Sequence, residues 1–124
     1  MIKVSCQQSC QALVFEFIGQ IKLSDEAPLM EQLEKILPEQ CGNFTVLTDL
    51  SAVEGYEPNM QQAIKRVMDY LNSRGVRKII RIIPDQEKDI GFSIMSIFHY
   101  SPGVQVLTMA SREEALERLR EAIK

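Results

Sequence analysis

The stretch Phe44-Thr-Val-Leu-Thr-Asp49 is a compact β-prone run that predicts a strand in the middle of the chain. A loop of residues 55–57 leads to Pro58, a good first-turn residue for a helix. The next segment carries apolar residues at i, i+3, i+4, i+7, i+8 and i+11, which predicts a broad amphipathic helix. Its apolar stripe consists of Met60, Ala63, Ile64, Val67, Met68 and Leu71.

Strands and helices alternate on both sides of this pair. Gly75 lies where a left-handed C-terminal cap is expected, and Gly19 is expected to end the second strand. Ser24 or Asp25 is expected to cap the first helix. The other predicted strands are Ile2–Ser5, Leu13–Phe17, Arg77–Ile83 and Val104–Thr108. Three more helices are predicted: one begins after Ser24 or Asp25, one runs from about Lys88 to Tyr100, and one starts at the capping box Ser111-Arg-Glu-Glu114. This order predicts one α/β domain over residues 1–124, with a four- to five-stranded mixed sheet and about four helices.

Composition narrows the class of protein. The chain has 124 residues, of which 45% are hydrophobic and 25% charged, as in an ordinary globular domain. Its net charge of −3 does not favour nucleic acid, and the basic residues between Lys65 and Arg81 are interpreted as a solvated surface. We expect no transmembrane segment and no signal peptide, and therefore a cytoplasmic protein.

Three stretches together resemble the STAS domain family, named for sulfate transporters and anti-sigma-factor antagonists. They are Val46-Leu-Thr-Asp-Leu-Ser51 with its following helix, Gly75-Val-Arg-Lys-Ile-Ile80, and Val106-Leu-Thr-Met-Ala-Ser-Arg-Glu-Glu-Ala-Leu116. The resemblance implies a small α/β regulatory module without enzymatic activity. In antagonist members of the family, a serine at the start of the helix after Asp-Leu-Ser is phosphorylated by a partner kinase.

The chain departs from the family at that serine. Counted from Asp49, the position falls at about Asn59, preceded by Pro58, and neither side chain can accept phosphate. The departure points to the divergent STAS-like branch related to lipid-binding CRAL-TRIO folds. We therefore predict no phospho-switch there, with Ser51 and Tyr56 as the nearest hydroxyls.

The residues do not nominate a catalytic or metal site. The single histidine, His99, lies on the apolar third helix, where it is interpreted as a half-buried packing residue. The three cysteines, Cys6, Cys10 and Cys41, form no close Cys-x-x-Cys pair, so we expect neither zinc nor another metal. Gly55 stands alone in its turn, so we expect no nucleotide site and no cofactor.

Arg81 is unusual because it interrupts an isoleucine-rich strand. Burial of a cation without a partner is costly. Either this face of the strand is open to solvent or ligand, which we favour, or a carboxylate such as Asp49 on the neighbouring strand pairs with Arg81.

The third predicted helix has more apolar surface than a sheet needs. At 100° per residue its apolar side chains cover an arc of roughly 220°, whereas packing on a sheet takes little more than about 100°. We expect the surplus to form a homodimer contact. The alternatives are a protein partner, a small apolar or lipid-like ligand, or another element of the chain. The residues predicted to form a ligand or partner surface are Asp49, Ser51, Tyr56, Asn59, Arg81, Phe92, Met95 and His99.

Overall fold

A computed structural model describes residues 1–7, 12–37, 44–83 and 103–123. These residues form five strands: β1 (Ile2–Gln7), β2 (Ala12–Ile21), β3 (Phe44–Tyr56), β4 (Val76–Ile82) and β5 (Gln105–Met109). They also form three α-helices: α1 (Glu26–Ile36), α2 (Met60–Ser73) and α3 (Arg112–Ile123). The predicted helix from about Lys88 to Tyr100 lies outside the described residues. The predicted mixed sheet of an α/β domain is confirmed.

The five strands form one sheet in which the spatial order equals the chain order, β1-β2-β3-β4-β5. The first pair is antiparallel, with Ile2 opposite Phe17, and every later pair is parallel. Parallel neighbours need crossover connections, which are right-handed in nearly all proteins. Because β2, β3 and β4 follow one another in one direction, α1 and α2 lie on the same face of the sheet.

The two faces of the sheet carry separate apolar cores, because side chains alternate along each strand. The face under α1 and α2, here called the front face, contains the larger core. The opposite, rear face is covered by α3, which contributes Ala115 and Leu119. Large side chains of the front core include Leu13, Phe15, Leu29, Leu33, Phe44, Val46, Met60, Met68, Leu71 and Ile79, and the rear core contains Ala12, Val14, Leu47, Ile80, Ile82, Ala115 and Leu119.

Helix α2 packs on the front face much as its pattern predicts. Five residues of the apolar stripe are buried, and Val67 is half-buried against them. Gly75 follows the helix at a φ of 95°, the left-handed conformation that glycine adopts without a Cβ clash. Both the inward face and the C-terminal stop of α2 were therefore predictable.

Strands β2 and β3 are longer than the sequence predicts. Gly19 does not end β2: it adopts a φ of 70° at a register irregularity, and the strand continues to Ile21. The predicted loop at 55–57 is also wrong, because Gly55 pairs with Gln20 and Tyr56 with Ile21. The irregular register keeps the two strands paired beyond the point where their sequences cease to alternate.

The start of α1 also differs from the prediction. A 3-10 turn, Leu23–Asp25, precedes the helix. The Asp25 carboxylate accepts a hydrogen bond from the Lys22 backbone N–H at 2.8 Å, and the Asp25 side chain makes no cap bond to α1. Asp25 thus organises the turn that leads into the helix.

Candidate functional site

A cluster of polar side chains lies on the rear face near the middle of β3. Asp49 is only 8% exposed, and its Oδ1 accepts hydrogen bonds from the Ser51 backbone N–H at 2.9 Å and the Ser51 hydroxyl at 2.5 Å. Its Oδ2 accepts a hydrogen bond from Arg112 Nη1 at 3.1 Å. Asp49 therefore joins its own strand to the first turn of α3.

Glu16 extends this cluster to the neighbouring strand. It pairs with Asp49 in the β2–β3 register, and its Oε2 lies 4.0 Å from Arg112 Nη1. Two carboxylates side by side repel each other, and the single guanidinium between them offsets that repulsion. Neither Glu16 nor Arg112 was predicted from the sequence as a site residue. The position of Arg112 directly after the last parallel strand could have indicated it, because helix starts and carboxyl ends of parallel strands meet at one edge.

The segment from Ser51 to Asn59 forms an exposed strip at the end of the sheet. Ser51, Glu54, Pro58 and Asn59 are exposed, whereas Tyr56 is half-buried against the front core. Asn59 precedes α2 at a φ of 70°, an unusual conformation for a residue with a Cβ, although asparagine tolerates it better than most.

Hydrogen bonds hold the backbone of this strip. The Glu57 N–H donates to the Ile21 carbonyl at 2.8 Å, and the Glu57 carboxylate accepts a hydrogen bond from the Leu23 N–H at 2.6 Å. Together with the Asp49 contacts to Ser51, these bonds fix both ends of the strip. The strip therefore presents its side chains from a fixed backbone.

Arg81 lies on the other face of the sheet from Asp49. It is 6% exposed, so this face of the strand is not open to solvent there, whereas its facing a ligand stays a prediction. The alternative, a pairing of Arg81 with Asp49, is excluded, since alternation turns Asp49 to the rear face, where Arg112 binds it. Arg81 Nη2 instead donates to Thr108 Oγ1 at 2.8 Å, and the residue makes further contacts.

A polar row crosses the front face at this level. Thr48 pairs with Arg81 in the β3–β4 register, and Arg81 pairs with Thr108 in the β4–β5 register. We call Thr48, Arg81 and Thr108 the polar row. Strand alternation within each segment was visible in the sequence, but the registers that align these three residues depend on pairing across the sheet.

An ion pair links helices α1 and α2, and in it Arg66 is exposed whereas Glu26 is half-buried. Arg66 donates through Nη2 to Glu26 Oε1 at 2.6 Å, and through Nε to Oε2. The hydrogen bond from Arg66 lowers the pKa of the Glu26 carboxyl below its usual value, and the same bond raises the pKa of Arg66. This ion pair was not predictable from the sequence, because its partners are 40 positions apart.

The basic residues between Lys65 and Arg81 do not share one surface. Lys65 pairs with Asp69 at 3.0 Å, Arg66 with Glu26, and Arg74 donates to the Leu37 carbonyl at 3.0 Å. Arg81 lies in the core. Lys65, Arg66 and Arg74 therefore serve separate contacts at different places on the protein.

The predicted surface is divided by the structure. It brings Asp49 and Ser51 into one cluster, places Tyr56 and Asn59 along the adjoining strip, and puts Arg81 on the opposite face of the sheet. Phe92, Met95 and His99 lie outside the described residues. Within the described ranges, no three metal-ligating side chains gather, and no helix is long and apolar enough to cross a membrane.

Solved structures with a SpoIIAA-like fold superpose on nearly the whole chain, so this protein has the STAS-like fold that its sequence resembles. Neither a known family model nor a curated protein sequence matches it significantly. One similar structure is an uncharacterized protein of the DUF3478 family from Shewanella loihica PV-4, with 16% identity and a TM-score of 0.74, which covers 96% of this chain and 92% of its own.

Two further similar structures are named for a regulatory role. The anti-sigma factor antagonist SpoIIAA in its unphosphorylated form has 15% identity and a TM-score of 0.61, with coverage of 97% of this chain and 98% of its own. An anti-sigma factor antagonist from Mycobacterium paratuberculosis has 18% identity and a TM-score of 0.54, with coverage of 97% and 95%. At these identities the similarity establishes the fold.

Proposed function

We propose that this protein is a non-enzymatic STAS-like regulatory module of the cytoplasm that acts by binding a protein partner. Anti-sigma factor antagonists among the similar structures support the regulatory role. The observation that carries the proposal is the exposed strip from Ser51 to Asn59, whose backbone is hydrogen-bonded at both ends. A surface ordered before binding loses less conformational entropy when a partner docks.

Site-specific photo-crosslinking in the native cell tests this surface. A photoreactive residue at Glu54, in the strip, is expected to give one discrete adduct with a partner protein. The matched control places the same residue at Glu31, which is exposed on α1 and remote from the strip in sequence. Adducts of equal yield at both positions, or none at Glu54, would contradict the proposal.

We also propose that the module works without a phospho-switch at the start of α2, where Pro58 and Asn59 stand. The Ser51 hydroxyl donates to Asp49, and added phosphate would place negative charge against that carboxylate. Quantitative phosphoproteomics should find Ser51 and Tyr56 unmodified. Stoichiometric phosphate at either residue would restore a switch.

Self-association through residues 88–100 remains a proposal from the sequence. The double variant Phe92→Glu/Met95→Lys is expected to sediment as a folded monomer if these side chains form a dimer contact. Ser93→Glu/Ser96→Lys makes the same charge changes on the polar side of the predicted helix and should leave a dimer intact. Unfolding of the first variant would instead place its side chains in the core of one subunit.

A further inference from the structure

Strand β1 forms one outer edge of the sheet that the described residues build. It pairs with β2 without a register irregularity from Ile2 to Gln7, and it contains no proline. Bulges and prolines are common protections of an exposed edge, because a regular edge can pair with a strand of another chain. The regular ladder of β1 therefore leaves its outer side suited to pairing with a further strand.

Hydrogen bonds at the start of β1 show which backbone groups point outward. The Met1 amino group donates to the Ile18 carbonyl at 3.0 Å, and the Ile18 N–H donates to the Met1 carbonyl at 2.8 Å. Bonded and non-bonded pairs alternate along an antiparallel ladder, so Ile2 and Val4 direct their N–H and C=O groups away from β2. Among the described residues, none forms a hydrogen bond with these outward groups.

The side chains of β1 divide between the two faces of the sheet. Ile2 and Val4 lie half-buried against the front core. Lys3 and Ser5 alternate with them and are exposed on the rear face. A strand added outside β1 would therefore complete the burial of apolar side chains on the front face and meet Lys3 on the rear face.

We propose that the outer edge of β1 binds β1 of a second copy of this chain, antiparallel, with Val4 on the two-fold axis. The two Val4 residues then exchange backbone hydrogen bonds, and their side chains become buried between the two front cores. Lys3 lies opposite Ser5 of the second copy, so the like charges of the two Lys3 residues do not meet. This contact is separate from the exposed strip and from residues 88–100, and it goes beyond the proposed function.

The charge on Lys3 selects this register. Outward backbone groups bond only to outward groups, so the allowed registers differ by shifts of two residues. One such shift places Lys3 directly opposite Lys3 of the second copy, where the like charges repel each other. The opposite shift leaves Ile2 without a strand residue across from it, because β1 ends at Gln7. The register with Val4 on the axis avoids both defects.

Pairing of β1 with its own copy also closes the assembly. A two-fold contact uses the same strand on both chains and leaves no β1 edge free. Binding of β1 to the strand at the other edge, β5, would leave an unused edge at each end and extend into a filament. The two-fold dimer is thus the assembly that this edge fits.

Opposite charges placed at Ser5 test the contact by analytical ultracentrifugation of the full chain. The wild-type protein should form a dimer. Ser5→Lys sets like charges against Lys3 of the second copy and should raise the dimer Kd about tenfold, whereas Ser5→Glu should lower it about tenfold. Because Ser5 is exposed, both variants should keep the circular dichroism of the wild-type protein. A wild-type monomer at every concentration, or equal Kd values for the two variants, would overturn the proposal.

The double variant Lys3→Glu/Ser5→Lys exchanges the places of the opposite charges. It has the same net charge as Ser5→Glu, so the two variants differ in where the charges lie. Its dimer should be about as tight as that of Ser5→Glu. A dimer as weak as that of Ser5→Lys would show that Lys3 and Ser5 do not face each other, which contradicts the proposed register.

Hydrogen exchange followed by NMR reports on the two-fold axis itself. The Val4 N–H should exchange more slowly as the protein concentration rises, because the dimer bonds it to the second copy. The Ser5 N–H faces Val14 of β2 in the same chain, so its exchange should not depend on concentration. Exchange of the Val4 N–H that stays constant while the protein passes from monomer to dimer would place the contact elsewhere and overturn the proposal.

Discussion

Arg81 occupies a position that is normally apolar in the core of a small sheet. Its long aliphatic stem packs among side chains of the front face, and its guanidinium reaches Thr108 on β5. The stem and the charged end therefore have separate roles. The stem fills space under α2, and the end contributes to the polar row.

Replacement of Arg81 by alanine should therefore cost the packing of that stem. We expect Arg81→Ala to lower the free energy of unfolding by about 2–5 kcal/mol, as for other large-to-small core substitutions. Arg77→Ala, at an exposed position of the same strand, should change it by no more than about 1 kcal/mol, because polar contacts of exposed side chains contribute little. Urea denaturation measures both. A loss below about 0.5 kcal/mol for Arg81→Ala would show that the stem is not part of the core.

Asp49 and Arg112 should contribute unequally to stability although they bind each other. Asp49→Ala removes the acceptor of three hydrogen bonds, two of them from Ser51, and should cost about 1–3 kcal/mol. The Arg112 side chain is 49% exposed, so Arg112→Ala should cost at most about 1 kcal/mol. Thermal unfolding of both variants compares them. Equal losses would mean that the ion pair, and not the turn at Ser51, gives Asp49 its importance.

The sequence marked Asp49, Ser51 and Arg81 as special but not their partners. Asp49 was recognised from the Asp-Leu-Ser stretch, and Arg81 from a charge among isoleucines. Side chains of β3 and β4 point alternately to the front and the rear face of the sheet. Which of them point to which face is decided only when the strands pair. Arg112 was hidden for the same reason, since its contact to β3 joins residues 63 positions apart.

At the scale of elements, the junction between β3 and α2 depends on one left-handed residue. Asn59→Val should lower the free energy of unfolding by roughly 1–2 kcal/mol, because a β-branched side chain clashes with the backbone at a φ near 70°. The free energy of unfolding of Asn59→Gly should stay within about 0.5 kcal/mol of the wild-type value. Glycine adopts the left-handed conformation without strain, but it also adds conformational entropy to the unfolded chain, and the two effects offset each other.

A control on the same helix separates backbone strain from helix propensity. Gln61 is exposed on α2, and Gln61→Val should lower the free energy of unfolding by no more than about 0.5 kcal/mol. Urea melts of the three variants give the comparison. If Asn59→Val and Gln61→Val were equally stable, the left-handed conformation of Asn59 would have no effect on the free energy of unfolding.

Helices were predictable from the sequence to a greater extent than strands. The apolar stripe of α2 and the Ser111 cap of α3 are local signals, and the Glu114 N–H does donate to the Ser111 hydroxyl at 3.3 Å. The ends of β2 and β3 are not local, because residues such as Gly55 are held in a strand only by their neighbour across the sheet. The sequence therefore predicted the order of the described elements better than their lengths.

At the scale of the whole molecule, the Glu26–Arg66 ion pair links the two front helices and should make stability depend on pH. The pKa of Glu26 is lower in the folded protein than in the unfolded chain, so this group stabilises the fold above its ordinary pKa. That contribution is lost as the pH falls through the lowered value. We expect the urea midpoint to fall between pH 6 and pH 3, and Glu26→Gln to reduce this fall.

Glu31→Gln is the matched control for this titration. Glu31 is an exposed carboxylate on the same helix, and its nearest ion-pair contact, to Lys35, is 3.9 Å long. Its substitution should leave the pH dependence of the urea midpoint close to that of the wild-type protein. If the urea midpoints of Glu26→Gln and of the wild-type protein fell equally with decreasing pH, a stabilising role for the hydrogen bonds to Arg66 would be contradicted.

The identical order of strands in space and along the chain has a consequence for how the protein is made. Each parallel strand adds to the edge left by its predecessor, so no strand must wait for a later one to fill a gap beside it. Synthesis from the N-terminus delivers each strand after the neighbour with which it pairs. We therefore expect β1 to β3 with α1 to assemble first during synthesis, and the sheet to grow outward one strand at a time. The rear face closes only when α3 has been synthesised and docks through Ala115 and Leu119.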